Sequence, residues 1–157
     1  MSKLEEKQEL IESIGIQMEQ RLNVSPLAAR IYALLALSSY EGLSFDTIRN
    51  SIGSSKSSTS VNLNVLIQLK YVEYRTKSGD RKRYFRVAKY FQISALEQQS
   101  QTLATDIKMV EKINDFNKNH YPEKFDNEQS LGQLTIDYLL KMQSLVKNTI
   151  DQLKKLS

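Results

Sequence analysis

Residues Ser54 to Leu69 read SSKSSTSVNLNVLIQL, and the reading of this stretch decides the fold. Its first half has the composition of a linker, and its second half has the apolar spacing of a helix. Taken as one helix with Ser54 or Ser55 at the N-cap, the hydroxyl run becomes the cap and the first two turns, where serine oxygens satisfy free backbone N–H groups. Further in, each serine costs about 0.5 kcal/mol relative to alanine, so the apolar half has to offset that cost. Helical spacing puts Thr59, Leu63, Leu66 and Leu69 on one side, where they can pack inward. Ser57, Ser58, Ser60, Val61 and Asn64 fall on the other side.

The flanking sequence gives this helix its setting. Leu4, Ile11, Ile14, Met18 and Leu22 recur at helical spacing between Glu and Lys residues, which predicts an amphipathic helix over roughly 2–22. Ser25 can cap the next helix with Pro26 at its first position, where the missing N–H costs nothing. That helix, Pro26 to about Ser39, is apolar around much of its surface, as a buried element should be, and Gly42 is expected to stop it. Ser44 can cap a short third helix carrying Phe45, Ile48 and Ile52, ended by Gly53 in the left-handed conformation. After the opening stretch, Val72 and Tyr74 alternate with polar neighbours, as do Phe85 and Val87. Ser78-Gly79-Asp80 supplies turn chemistry between the two runs, so the segment reads as a hairpin. Two long helical patterns close the chain. Leu96, Leu103, Ile107, Val110 and Phe116 mark the first, and Leu131, Leu134, Tyr138, Met142, Leu145, Leu153 and Leu156 mark the second, with residues 119–127 between them. His120, Tyr121 and Phe125 in that connection read as loop anchors.

Charge is distributed unevenly. The chain has 22 Lys and Arg against 18 Asp and Glu, yet residues 49–89 hold ten basic residues and two acidic ones, Glu73 and Asp80. That segment is +8, and the remaining 12 basic and 16 acidic residues leave the rest at −4. A middle that attracts polyanions is flanked by segments that do not. The 40% apolar and 25% charged composition is that of a soluble globular protein, and no apolar run approaches the ~20 residues needed to span a bilayer. With an acidic N-terminus, MSKLEEKQELIE, a cytoplasmic location and no membrane association are expected. Zero cysteines and one histidine exclude a disulfide framework and a His-based zinc site within one chain. No nucleophile–base set, phosphate-binding glycine loop or buried carboxylate pair is evident, so no catalytic residues, no metal and no cofactor are expected.

Two short helices joined by a tight turn at Gly53-Ser54 and followed by a basic hairpin make a winged helix-turn-helix, whose second helix enters the major groove of double-stranded DNA. The fold class expected is mainly α with a small β-hairpin, in one domain over 1–157. Residues 25–89 form its winged region, and 1–24 and 90–157 form flanking long helices. Ser55, Ser57, Ser58 and Ser60 can donate to phosphates, and Lys56 at the positive end of the helix dipole favours one. Val61 can touch a thymine methyl, and Asn64 can read a base edge. Arg75 begins a basic hairpin whose tip, Lys77 to Arg83, carries Lys77, Arg81, Lys82 and Arg83 toward a minor groove. Surplus apolar surface on the long helices suggests a homodimer. A small-molecule effector has candidate neighbours in Tyr32, Tyr40 and Tyr90, for each of which core packing is the plainer reading. The alternative function is a protein-interaction adapter. The +8 segment disfavours it, although basic surfaces also bind acidic proteins.

Ser25-Pro-Leu-Ala-Ala-Arg-Ile-Tyr-Ala-Leu-Leu35, Ser55-Lys-Ser-Ser-Thr-Ser-Val-Asn-Leu63 and Gly79-Asp-Arg-Lys-Arg-Tyr-Phe85 resemble, in order and spacing, the GbsR-like branch of the MarR-type transcriptional regulators. The likeness covers about residues 25–90, and the Gly-Asp-Arg-Lys-x-Tyr-Phe wing is its most specific part. It implies a homodimeric DNA-binding regulator, most simply a repressor, whose first and last helices interlock. It also implies that Ser55 to Ser60 start the recognition helix and that Asp80 and Arg81 form the wing tip. Two positions depart from the pattern: Lys70 stands where a glycine is common, and Arg83 where an acidic residue is frequent. The branch also implies a choline-type ligand, which needs an aromatic cage. The chain has no tryptophan, and that ligand is not carried over.

Overall fold

Serines set most of the helix starts. In this computed structural model, which describes residues 1–127 and 130–156, helix α1 (Lys3–Leu22) opens on a capping box. The Ser2 hydroxyl accepts from the Glu5 N–H, and the Glu5 carboxylate accepts from the Ser2 N–H. The α2 helix (Pro26–Ala36) is capped by Ser25 with Pro26 at its first position. Strand β1 (Leu43–Ser44) leads directly into α3 (Phe45–Ile52), capped by Ser44, and α4 (Lys56–Gln68) is capped by Ser55. Between α3 and α4, Gly53 takes φ +71° and donates its N–H to the Arg49 carbonyl, which makes the tight turn a glycine allows. Strands β2 (Val72–Thr76) and β3 (Arg83–Val87) follow, then α5 (Tyr90–His120), a 3-10 turn at Pro122–Phe125, and α6 (Leu131–Lys155), capped by Ser130. The element order is the one the sequence pattern predicts, with β1 and the 3-10 turn added.

The chain divides into two compact units, the first Met1–Tyr90 and the second from Phe91 onward. In the first, α2 is the centre: Ala28, Ala29, Ile31, Leu34 and Leu35 are buried, and they share a core with Ile11 of α1, Ile48 of α3, Leu63 and Leu66 of α4, and Phe85 of β3. Helix α1 comes close to α2 at Gly15, where an added methyl would press on the Arg30 side chain at 3.2 Å. Arg30 is in turn paired with Glu12 at 3.3 Å and with Glu19, so one guanidinium ties two turns of α1 to α2.

Three expectations are corrected in this unit. Helix α2 stops at Ala36, earlier than Ser39. The Ser38 N–H turns back to the Leu35 carbonyl and the Ser38 hydroxyl donates to the Leu34 carbonyl at 2.6 Å, which together occupy two acceptors of the last turn. Gly42 is therefore not the stop; it is the residue that swings the chain into β1. The expected two-stranded hairpin is a three-stranded antiparallel sheet of order β1-β3-β2, with Phe85 facing Leu43 on one side and Tyr74 on the other. A two-residue strand is too short to show alternation, so sequence pattern alone misses it. Gly42 has φ +86°, and a side chain there would run into the Phe85 carbonyl. Gly42→Ala is therefore expected to cost about 2 kcal/mol, read as a lower urea midpoint with unchanged slope.

Lys70, one of the two departures from the family pattern, follows α4 with φ +62°. A glycine would hold that left-handed conformation without penalty, whereas a lysine carries strain of about 1 kcal/mol. The Lys70 ammonium lies 4.5 Å from the Tyr90 ring centre, a cation–π contact that offsets part of the strain.

In the second unit α5 and α6 run antiparallel. Glu97 near the start of α5 pairs with Lys154 at the end of α6 at 3.2 Å, and Asn114 far along α5 donates to the Gly132 carbonyl at 3.0 Å. Ile93, Leu103 and Ile107 pack with Leu139, Val146 and Ile150 between those ends. Phe125 folds under Gly132, where an added methyl would strike the Asn114 amide oxygen and the Phe125 ring. His120 and Tyr121, expected as anchors with Phe125, are instead exposed and lie against the Phe116 ring at 4.5 and 6.4 Å. Helix α6 is apolar on a second side as well. Leu131, Leu134, Tyr138 and Leu145 are each more than half exposed, and on α5 so are Met109 and Phe116.

Candidate nucleic-acid interface

Helix α4 has the two sides its sequence predicts. Leu63 and Leu66 are 1% and 0% exposed, while Val61 is 59% exposed and Lys56, Ser57, Ser58, Ser60 and Asn64 are exposed with it. Thr59 is buried without an unmet hydroxyl, because it donates to the Ser55 carbonyl at 2.8 Å and lies 2.6 Å from the Ser54 hydroxyl. Leu69, expected inward, is 47% exposed. At about 100° per residue the inward stripe of Thr59, Leu63 and Leu66 has turned away by Leu69. The helix closes there, with the Lys70 and Tyr71 N–H groups donating to the Ile67 and Leu66 carbonyls. Ser55 is committed to capping, its hydroxyl accepting from the Ser58 N–H at 3.1 Å.

Asn62 was not singled out by sequence reasoning and has a structural task. Its amide N–H donates to the Ser58 carbonyl at 2.8 Å, and its amide oxygen accepts from the Ser25 hydroxyl at 2.5 Å. The start of α2 is thereby bound to the outward shoulder of α4. A partner 37 residues away leaves no mark in local spacing.

In the hairpin the basic residues divide into matched and unmatched sets. Arg86 donates to Glu73 across the β2–β3 pair at 2.6 Å, and Lys77 pairs with Glu41 at 3.2 Å while lying 4.1 Å from the Tyr84 ring centre. Lys77, grouped by sequence with the DNA-contacting cations, thus has its charge engaged inside the unit. Arg81, Lys82 and Arg83 are exposed and Arg75 half-buried, with no carboxylate within ion-pair distance among the described residues. Asp80 accepts from the Lys82 N–H at 2.9 Å and from the Tyr84 hydroxyl at 2.6 Å. These two hydrogen bonds, the Tyr84 one foremost, hold its carboxyl below the usual range, and the same bond pushes the Tyr84 hydroxyl up. Asp80 is therefore ionised, and Tyr84 protonated, at neutral pH.

Arg83 sits opposite Thr76 at the root of the tip and not at its end. It lines two adjoining open clefts between α4 and the hairpin, one with Ser60, Asn64 and Tyr74, the other with Lys56, Ser60 and Lys82. The structure thus gathers Lys56, Ser60, Asn64, Lys82 and Arg83 on one surface, with Asp46 the lone acid in the second cleft. Ser57, Ser58, Val61 and Arg81 line neither cleft. Tyr74, 57% exposed in the first cleft, is a further candidate that alternation alone reads as core. The three tyrosines considered for an effector separate: Tyr32 is buried edge-on to Tyr71 at 6.4 Å, Tyr40 is 94% exposed, and Tyr90 is half exposed beside Lys70. For Tyr40 and Tyr90 this also corrects the expectation of core packing. Among the described residues, no group of three or more His, Asp or Glu side chains could hold a metal ion, and no helix is long and apolar enough to cross a membrane.

No family model matches the chain, and no curated protein matches it. Among solved structures, a crystal structure of a transcriptional regulator is similar with a TM-score of 0.54 at 20% identity, covering 96% of this chain and 99% of that one. The likeness shows the fold: mostly helical with a small three-stranded antiparallel sheet.

Proposed function

We propose that the chain is a sequence-specific, double-stranded-DNA-binding transcriptional regulator that acts as a homodimer. The observation that carries this reading is the shared surface of α4 and the hairpin. A helix whose outward side is small and mostly polar, interrupted by Val61 and charged only at Lys56, stands beside a root and tip bearing Lys82, Arg83 and Arg81. Small side chains let a helix sit deep in the major groove, Asn64 and Val61 present base-reading chemistry there, and the cations fix register on phosphates. The exposed second side of α6, Leu131, Leu134, Tyr138 and Leu145, supports self-association, since monomeric proteins rarely leave such a stripe in water. Occupation of a promoter by such a dimer gives repression as its simplest outcome. The MarR-type, GbsR-like resemblance of the wing agrees with this reading.

The test is selection of bound duplexes from a randomised pool. A two-fold dimer should recover an inverted repeat with half-sites about one helical turn, ~10 bp, apart. A pool that remains unpatterned after repeated selection would refute sequence-specific binding, and a single unrepeated half-site would refute the dimer.

A further inference from the structure

An acidic residue at the centre of a cationic tip needs a reason, because its charge opposes the approach of a polyanion. Asp80 lies between Lys77 and the run Arg81-Lys82-Arg83, and both its carboxylate oxygens are used internally. One accepts from the Lys82 N–H at 2.9 Å, the other from the Tyr84 hydroxyl at 2.6 Å, and the Asp80 N–H donates to the Lys77 carbonyl at 3.0 Å. Tyr84 itself is rooted in β3, the central strand, where it faces Arg75 of β2 and Ser44 of β1. Its ring is covered by the Lys77 ammonium at 4.1 Å, and Lys77 is held by Glu41 at 3.2 Å in the segment leading into β1. A continuous set of contacts therefore runs from the scaffold to the tip. Arg81 is the one residue between the two points this set fixes, Asp80 and the Lys82 backbone.

We infer that Tyr84, acting through Asp80, is a positioning residue for Arg81, and that Lys77 belongs to this clasp instead of the DNA-contacting set. The inference rests on the DNA-binding reading above and goes beyond it. Without the clasp, a turn with Gly79 at its apex and several like charges would sample many directions and would lose that freedom on binding. With it, Arg81 is aimed before the DNA arrives.

The experiment is a double-mutant cycle with the duplex recovered from the randomised pool, read by fluorescence anisotropy alongside thermal melting of each variant. Tyr84→Phe removes one hydroxyl and no charge, and should weaken binding about tenfold with the melting temperature of the wild type; Arg81→Ala should weaken it by a similar factor. The double variant should be within about twofold of Arg81→Ala alone, because the hydroxyl acts only through that arginine. Losses that multiply, or a Tyr84→Phe protein that binds as the wild type does, overturn the inference. Asp80→Ala gives an independent check with opposite signs: removing a negative charge strengthens binding if Asp80 is only electrostatic, and weakens it if Asp80 positions the tip. Wild-type protein that binds no duplex refutes the DNA-binding reading itself, whereas wild-type binding with an unchanged Tyr84→Phe variant refutes this inference alone.

Discussion

Leu66→Ala should lower the stability of the first unit by about 3 kcal/mol, while Val61→Ala, five residues earlier on the same helix, should change it by less than about 0.5 kcal/mol. Leu66 is completely buried and Val61 is 59% exposed, so the same kind of truncation meets opposite surroundings. Removing three carbons beneath α4 leaves a cavity bounded by α2 and the sheet, elements held by their own capping and pairing and slow to collapse into the space. A loss of that size is a large fraction of the ~5–15 kcal/mol typical of a folded domain, and DNA binding should fall with it at physiological temperature. Val61→Ala should leave the urea midpoint in place and, on the proposed DNA-binding reading, alter only the base preference at one step of the site, where a thymine methyl would lose its apolar contact. Equal midpoint shifts for the two variants would mean that the helix is rotated from the orientation described.

The contrast also shows what could be read from the amino-acid order and what could not. Caps at Ser25, Ser44 and Ser55 and the left-handed turn at Gly53 are local, set by one residue and its next three neighbours, and the order of helices and hairpin follows from them. The two sides of α4 were legible for the same reason, up to Leu69, where the drift of 3.6-residue periodicity and the end of the helix turned an expected core leucine outward. Strand β1 was not legible, because two residues carry no period and its partner β3 lies some forty positions on. The candidate surface was readable as a list of basic and hydroxyl residues, but not as a division of labour. Whether Lys77 is matched depends on Glu41, and whether Asn62 is outward depends on Ser25. Both partners are more than thirty positions distant, Glu41 brought near by the pairing of β1 with the hairpin and Ser25 by the packing of α2 on α4.

On the proposed DNA-binding reading, that division of labour sets the size of the salt effect on binding. Of the basic residues of the winged region, Lys77 and Arg86 are neutralised by Glu41 and Glu73. Lys56, Lys82 and Arg83 keep unmatched charge on the α4–hairpin surface, and Arg81 keeps it at the tip beside them. On the proposed dimeric reading, two copies on one inverted repeat offer about eight such cations, and each phosphate neutralised releases counterions, contributing about −0.9 to the slope of log affinity against log salt. With six to eight contacts made, affinity should fall about 10³- to 10⁴-fold between 50 and 200 mM salt, measured by anisotropy on the selected duplex. Replacing Arg81, Lys82 and Arg83 together by alanine should flatten the slope by about 5, since three contacts are lost from each of two protomers. A wild-type slope near −2 would mean that only the helices touch phosphate and that the hairpins stand clear of the duplex. An unaltered slope in the triple variant would take the phosphate contacts away from the wing tip and leave them to cations elsewhere, Lys56 of α4 first among them. Either result would remove the wing from the binding mechanism while leaving α4 in it, because its polar face and its buried leucines do not depend on where the wing points.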